Sequence, residues 1–186
     1  MKLLNVSIQS YLGLPEDERL RYDFAIRFGK NITEGRDFFI IGDPKELKFG
    51  TIKTMQMLFA GDFDLGKMLG LLADVVGANI SELVKFGVFD IMQQLHYLRR
   101  QIDNINTLEA NSLASPMNPI HEAAGVKRFN KFGAMLQVDS LANGKVWKYE
   151  EVEGLKYNIC FSKLLLMKDT VDFENAIDRL NRRKNT

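Results

Sequence analysis

The stretch NISELVKFGVFDIMQQLHYLRRQIDNINTLEA, residues 79–110, decides the fold class. Within it Val84, Val88, Ile91, Leu95, Leu98, Ile102 and Ile105 recur at alternating spacings of four and three. A strand would bring every second residue to one face, whereas this spacing lines one side of a helix. Asn79 supplies an N-cap side chain, and Glu82 three residues later supplies the returning half of a capping box. The pattern predicts one long helix over about 80–110 with an apolar seam. Lys85, Met92, Arg99 and Asn106 flank the seam on one side, and Gly87, Gln94 and Gln101 on the other. These positions lack the opposed charges that specify a coiled-coil dimer, so the seam reads as the inward face of a bundle's central helix. The alternative is self-association, with Val84, Val88, Ile91, Leu95 and Leu98 binding a partner.

Upstream, LPEDERLRYDFAIRFG reads as a helix: Pro15 suits its first position, Glu16, Asp17 and Glu18 its positive end, and Gly29 its stop. RDFFIIGDP is the best strand candidate, an apolar run closed by Gly42, Asp43 and Pro44, and gives a minor β element near 36–42. A short helix capped by Thr51 runs through Ala60 to Gly61, and a second runs from about Phe63 to Val76, stopped by Gly77. Downstream, SLASPMNP (112–119) is a loop with two prolines and the one hinge of the chain. Helical pattern resumes from Ile120 to about Leu141, and ANGK (142–145) is a turn. In the last segment Leu155, Ile159, Leu164, Met167 and Val171 give one apolar face, and Phe173, Ile177 and Leu180 another, with a break near Asp169 and Thr170. The expectation is a mainly α protein, a helical bundle in a single domain over 1–186.

Composition narrows function by exclusion. Lys and Arg number 25 against 24 Asp and Glu. A dedicated nucleic-acid binder carries a basic excess to neutralise phosphates. Here that excess is local, at Lys127, Arg128 and Lys131 and at Arg179, Arg182, Arg183 and Lys184. Both clusters could contact nucleic acid or an acidic partner, with Arg179, Arg182 and Arg183 as partner-binding candidates, and they make a nucleic-acid-associated accessory role the second reading. The commoner explanation is solvation and, for Arg182–Lys184, favourable charge at a helix C-terminus. The single Cys160 permits no intrachain disulfide, in keeping with a reducing compartment. No apolar run has the 18 or so residues that span a bilayer, and the polar-interrupted start MKLLNVSIQS, with no uninterrupted apolar h-region or cleavage site after it, is not expected to act as a signal peptide. The expected location is the cytoplasm.

Three motifs invite chemistry and fail on inspection. GDFDLGKM (61–68) has the spacing of a phosphate-binding loop, but Met68 stands where a magnesium-binding hydroxyl belongs. Asp62 and Asp64 would repel a polyanion there, and the preceding TIKTMQMLFAG has helical rather than strand spacing, so the stretch reads as a turn between helices. HEAAG (121–125) lacks the second histidine of a zinc-protease helix, and His96 lies far off in sequence. Cys160 falls on an apolar helical face, where thiols are buried and inert. No catalytic residue, cofactor or metal is assigned, and the chain reads as a non-enzyme. The phenylalanines Phe38, Phe39, Phe49, Phe59, Phe63, Phe86 and Phe89 are expected in the core, and any left exposed would mark a docking surface.

The passage from Ala123 to Leu180 resembles the C-terminal region of tailed-bacteriophage tail assembly chaperones and virion proteins. The resembling features are Phe132-Gly133, the turn Leu141-Ala142-Asn143-Gly144, and the run from Glu150 through Val152 and Leu155 to Tyr157. ELKFGTIKTMQMLFAGDFDLGKMLGLLADVV (46–76) resembles their upstream organisation. The resemblance implies a mostly helical protein that binds other virion or assembly proteins in the host cytoplasm or the virion, and it brings no catalytic residues.

Overall fold

The computed structural model describes residues 6–20, 22, 43–61, 64–114 and 122–184, with side chains through residue 181. The element expected near 36–42, Gly29, and most of the proposed hinge at 112–119 lie outside the described residues. The described chain is mainly helical: α1 (Ile8–Leu12), α2 (Phe49–Ala60), α3 (Leu65–Val76), α4 (Ile80–Leu83), α5 (Val88–Leu113), α6 (Met135–Leu141), α7 (Tyr149–Gly154) and α8 (Tyr157–Lys184). Residues 16–20 are also helical. Extended pairing among the described residues is limited to two isolated bridges, Ser7 with Gly87 and Lys48 with Lys156. The chain divides into two compact units, one of residues 1–44 and 54–103, the other of residues 45–53 and 104–186.

The first unit is built around α3, α4 and the first part of α5. Asp64 caps α3 by accepting the Lys67 N–H at 3.1 Å, which holds its carboxyl below the usual carboxylate range. Gly77, at φ 67°, ends α3 in the left-handed conformation. Glycine adopts that conformation without steric cost. Glu82 closes back on the Asn79 N–H at 3.5 Å, as the capping pattern requires. Val88, Ile91, Leu95, Leu98 and Ile102 are buried along α5, as is the Ile105 that follows.

The long helix begins at Val88 rather than near residue 80. Backbone groups that would have continued it bond to the N-terminal segment instead. Ile8 N–H donates to the Phe86 carbonyl at 2.9 Å, Gln9 N–H to Val84 at 3.0 Å, and Val88 N–H to Val6 at 2.7 Å. Tyr22 stacks on Phe89 with centroids 5.7 Å apart. It also meets Tyr11 edge-on, with centroids 5.9 Å apart. These aromatic residues close this corner of the unit.

The second unit gathers the start of α2, the end of α5, and α6 to α8. The expected run over 120–141 is broken by Gly125 (φ 79°) and Gly133 (φ 48°), leaving a 3-10 segment, Val126–Phe132, before α6. Asn143 and Gly144 both take positive φ in the predicted turn. Residues 47–49 and 155–157 pair: Phe49 N–H donates to the Leu155 carbonyl at 2.7 Å, and Tyr157 N–H to Leu47 at 2.8 Å. Gly50 lets α7 approach here, since a Cβ at this position would stand 3.0 Å from that of Glu153.

Beside this pairing sits a buried polar node. Lys53, 6% exposed, donates to both carboxylate oxygens of Glu109 at 2.7 and 2.9 Å. Tyr157 donates its hydroxyl to the same carboxylate at 2.9 Å. The Lys53 ammonium lies 5.1 Å from the Phe49 ring centre and 6.0 Å from that of Tyr157. Burial lowers the Lys53 pKa against the opposing pull of Glu109, while burial and the Glu109 charge raise that of Tyr157.

Two outcomes follow from this node. Lys53→Met strands a buried carboxylate and should cost about 3–5 kcal/mol, whereas Lys53→Met with Glu109→Met should restore most of it, measured by urea unfolding. Tyr157→Phe should cost about 1–2 kcal/mol at neutral pH. The folded Tyr157 pKa lies above its unfolded value of 10.0, so its contribution is complete below pH 10 and lost above it. The gap between wild type and Tyr157→Phe should therefore narrow in unfolding curves taken above about pH 10.

Candidate docking surface

The residues that invited chemistry are spread through the structure or occupied by structural roles. Asp64 caps α3 within the loop that mimics a phosphate site, and α2 precedes that loop where a strand would be needed. His96 is exposed on α5, and His121 lies outside the described residues. Among the described residues no three His, Cys, Asp or Glu side chains are placed to hold a metal ion. Cys160 is buried, with Sγ 3.7 Å from the Val152 carbonyl, and burial pushes its thiol pKa up against the opposing charge of Lys53. No described helix is long and apolar enough to cross a membrane.

The seam residues named as partner-binding lie elsewhere than on a surface. Val88, Ile91, Leu95 and Leu98 form part of the interior. Val84 is half-buried in the turn before α5. A seam that fills the interior leaves no outward face for a partner. Arg179 is exposed and its Nε donates to the Asn175 carbonyl at 3.2 Å, one turn back along α8. Arg182 and Arg183 continue the helix, and their side chains are outside the described set.

Leu12, Leu20, Met57 and Ile80 are exposed singly on the first unit, while the second unit carries most of the exposed large apolar side chains, with the longest row on α8. This helix runs unbroken for 28 residues. The break expected at Asp169 and Thr170 does not occur. Thr170 Oγ1 donates to the Leu166 carbonyl at 2.8 Å. Lys168 pairs with Asp172 at 2.6 Å across one turn. Both contacts are satisfied within the helix, as such side chains allow. The apolar residues divide by side instead. Tyr157, Cys160 and Leu164 are buried at spacings of three and four. Ile159, Leu166, Phe173 and Leu180 repeat every seven residues on the opposite side and are exposed, Phe173 to 66%. Ile177 joins them. Beyond Leu164 no described residue of α8 is buried.

Two other groupings share this unit. Trp147, the only tryptophan of the chain, is 79% exposed in the 3-10 turn Val146–Lys148, beside the exposed Val146. In Val126–Phe132, Phe129 and Phe132 are exposed with ring centres 6.5 Å apart. Arg128 stands over the first ring at 5.3 Å and Lys131 over the second at 5.0 Å, while Lys127 pairs with Glu122 at 2.8 Å. Of the phenylalanines expected in the core, Phe49 and Phe89 are buried, and Phe59 and Phe86 are half-buried. Phe38, Phe39 and Phe63 lie outside the described residues.

Exposed tryptophan and phenylalanine are the residue types that anchor protein interfaces, because each removes a large apolar area from water on docking. In comparisons with protein-family models, curated proteins and solved structures, no match to this chain was found.

Proposed function

We propose that the protein is a non-enzymatic interaction protein of a tailed phage, acting in virion assembly or as a structural component of head, neck or tail. The observation that carries this reading is the outer side of α8, where large apolar side chains line a helix with no buried residue beyond Leu164 among those described. Such a surface is unfavourable in water and lowers its free energy when buried against a partner. The resemblance over 46–180 supplies the biological setting. A virion component would keep this face docked on neighbouring subunits. An assembly chaperone would use it to cover a partner's apolar surface and then leave. Either acts in the host cytoplasm while particles form.

A second reading rests on Arg128 over Phe129 and Lys131 over Phe132. Exposed rings with cations beside them can stack bases while neutralising phosphates, so an accessory role on single-stranded nucleic acid is the alternative.

Mass spectrometry of purified particles beside the infected-cell lysate tests the first reading. Stoichiometric protein in particles marks a subunit, protein confined to lysate but co-purifying with a virion protein marks a chaperone, and protein found with neither removes the reading. Trp147→Ala should change stability by no more than about 0.5 kcal/mol, given its exposure, while reducing recovery with the partner. A salt-sensitive gel shift lost in Phe129→Ala with Phe132→Ala would favour the second reading instead.

A further inference from the structure

We infer that the outer stripe of α8 pairs antiparallel with α8 of a second copy of this chain. This deepens the docking reading and rests on it, since it names one partner for the same face.

The period of the stripe selects the kind of partner. Ile159, Leu166, Phe173 and Leu180 stand seven residues apart, and Thr170 and Ile177 fall between them, so the order from Leu166 onward is four, three, four, three. A straight helix drifts away from a seven-residue repeat, and the repeat is satisfied along its length only by winding around another helix of the same period. Among the described residues α5 has the other such repeat, and its seam is buried. The matching exposed repeat available is α8 of another copy.

Charge selects the direction. Lys163, Asp169 and Glu174 are all exposed along the stripe. A parallel, in-register pair would set Lys163 against Lys163 of the second copy in the seam, and Asp169 against Glu174 on both margins. Each of these contacts joins like charges. In the antiparallel pair Leu166 layers with Ile177 of the second copy and Thr170 with Phe173. Lys163 layers with Leu180, its stem lying along the seam and its ammonium reaching water. Asp169 then faces Ala176, and no like charges meet. The contact is the same surface on both copies, closed by a two-fold axis.

The overlap from Lys163 to Leu180 amounts to about 27 Å of helix. That is a small contact, near the lower bound of about 1,200 Å² for specific interfaces, so a dimer with Kd of about micromolar order is expected.

Sedimentation equilibrium of the full chain across the micromolar decade is the first test. Wild type should pass from monomer to dimer, and Phe173→Lys should remain monomeric, raising Kd at least about a hundredfold. Phe173 is exposed, so far-UV circular dichroism should show the variant folded, and Leu180→Lys repeats the test independently. The second test uses a Cys160→Ala background. Leu166→Cys and Ile177→Cys proteins should form a disulfide when mixed and oxidised, and neither should do so alone. A wild type that stays monomeric, a dimer indifferent to both lysine variants, or self-crosslinking of either cysteine protein overturns the inference. A monomeric chain that is nonetheless stoichiometric in particles would remove the dimer and leave the docking reading standing.

Discussion

The ion pair between Lys53 and Glu109, shared with the Tyr157 hydroxyl, is the constraint around which the second unit is arranged. It joins the start of α2, the end of α5 and the first turn of α8, residues 56 and 48 positions apart in the chain. A charge with so little exposure is tolerated only when its partners are held in place. Glu109 accepts from Lys53 through both oxygens and from Tyr157 as well, while the Phe49 and Tyr157 rings, stacked at 6.2 Å, shut the node from solvent. Nearby, Glu46 accepts from Lys156 at 2.6 Å and from Asn158 at 2.8 Å, which adds an exposed clasp at the same helix start. That outer clasp is screened by water and contributes much less than the buried one.

The node explains why α8 has two characters. Its first two turns, through Tyr157, Cys160 and Leu164, are fixed by packing. Beyond Leu164 packing is partial among the described residues, reaching Leu165, Met167, Lys168 and Asp172, and the helix is held there chiefly by its own hydrogen bonds and by the Lys168–Asp172 pair, which raises the Lys168 pKa. Isolated helices gain little stability from propensity alone, so a long, partly packed stretch is stable chiefly when something covers it. The side chains facing outward there are apolar and large. A solvated helix would carry charge on that line, and the row from Leu166 to Leu180 does not.

The helical class was legible because its signals are local. The seam spacing of α5, the Asn79–Glu82 cap, the Gly77 stop and the Asn143-Gly144 turn each depend on neighbours a few residues away. The start of α5 was not legible. Nothing near Phe86 announces that its carbonyl will accept from Ile8, almost the whole unit away in sequence. Lys53 sits in the helical run TIKTMQMLFAG with no local sign that it will be buried against Glu109, 56 positions away. The docking face was half legible. The α5 seam and the α8 stripe share one period, and sequence does not say which of two such rows faces inward. Tyr157, Cys160 and Leu164 decide it by taking the inner side of α8, which leaves the row beginning at Ile159 outside.

In this account α8 is anchored at its start and, among the described residues, carries no buried side chain beyond Leu164. Hydrogen exchange on the dilute chain, read amide by amide, tests this most directly, because exchange reports local opening. Amides of Tyr157–Leu164 should exchange slower than those of Val171–Lys184 by at least about two orders of magnitude, the difference that packing makes to a helix of ordinary propensity. Equal protection along all of α8 at dilution would mean that its outer row is already covered, and would contradict the account.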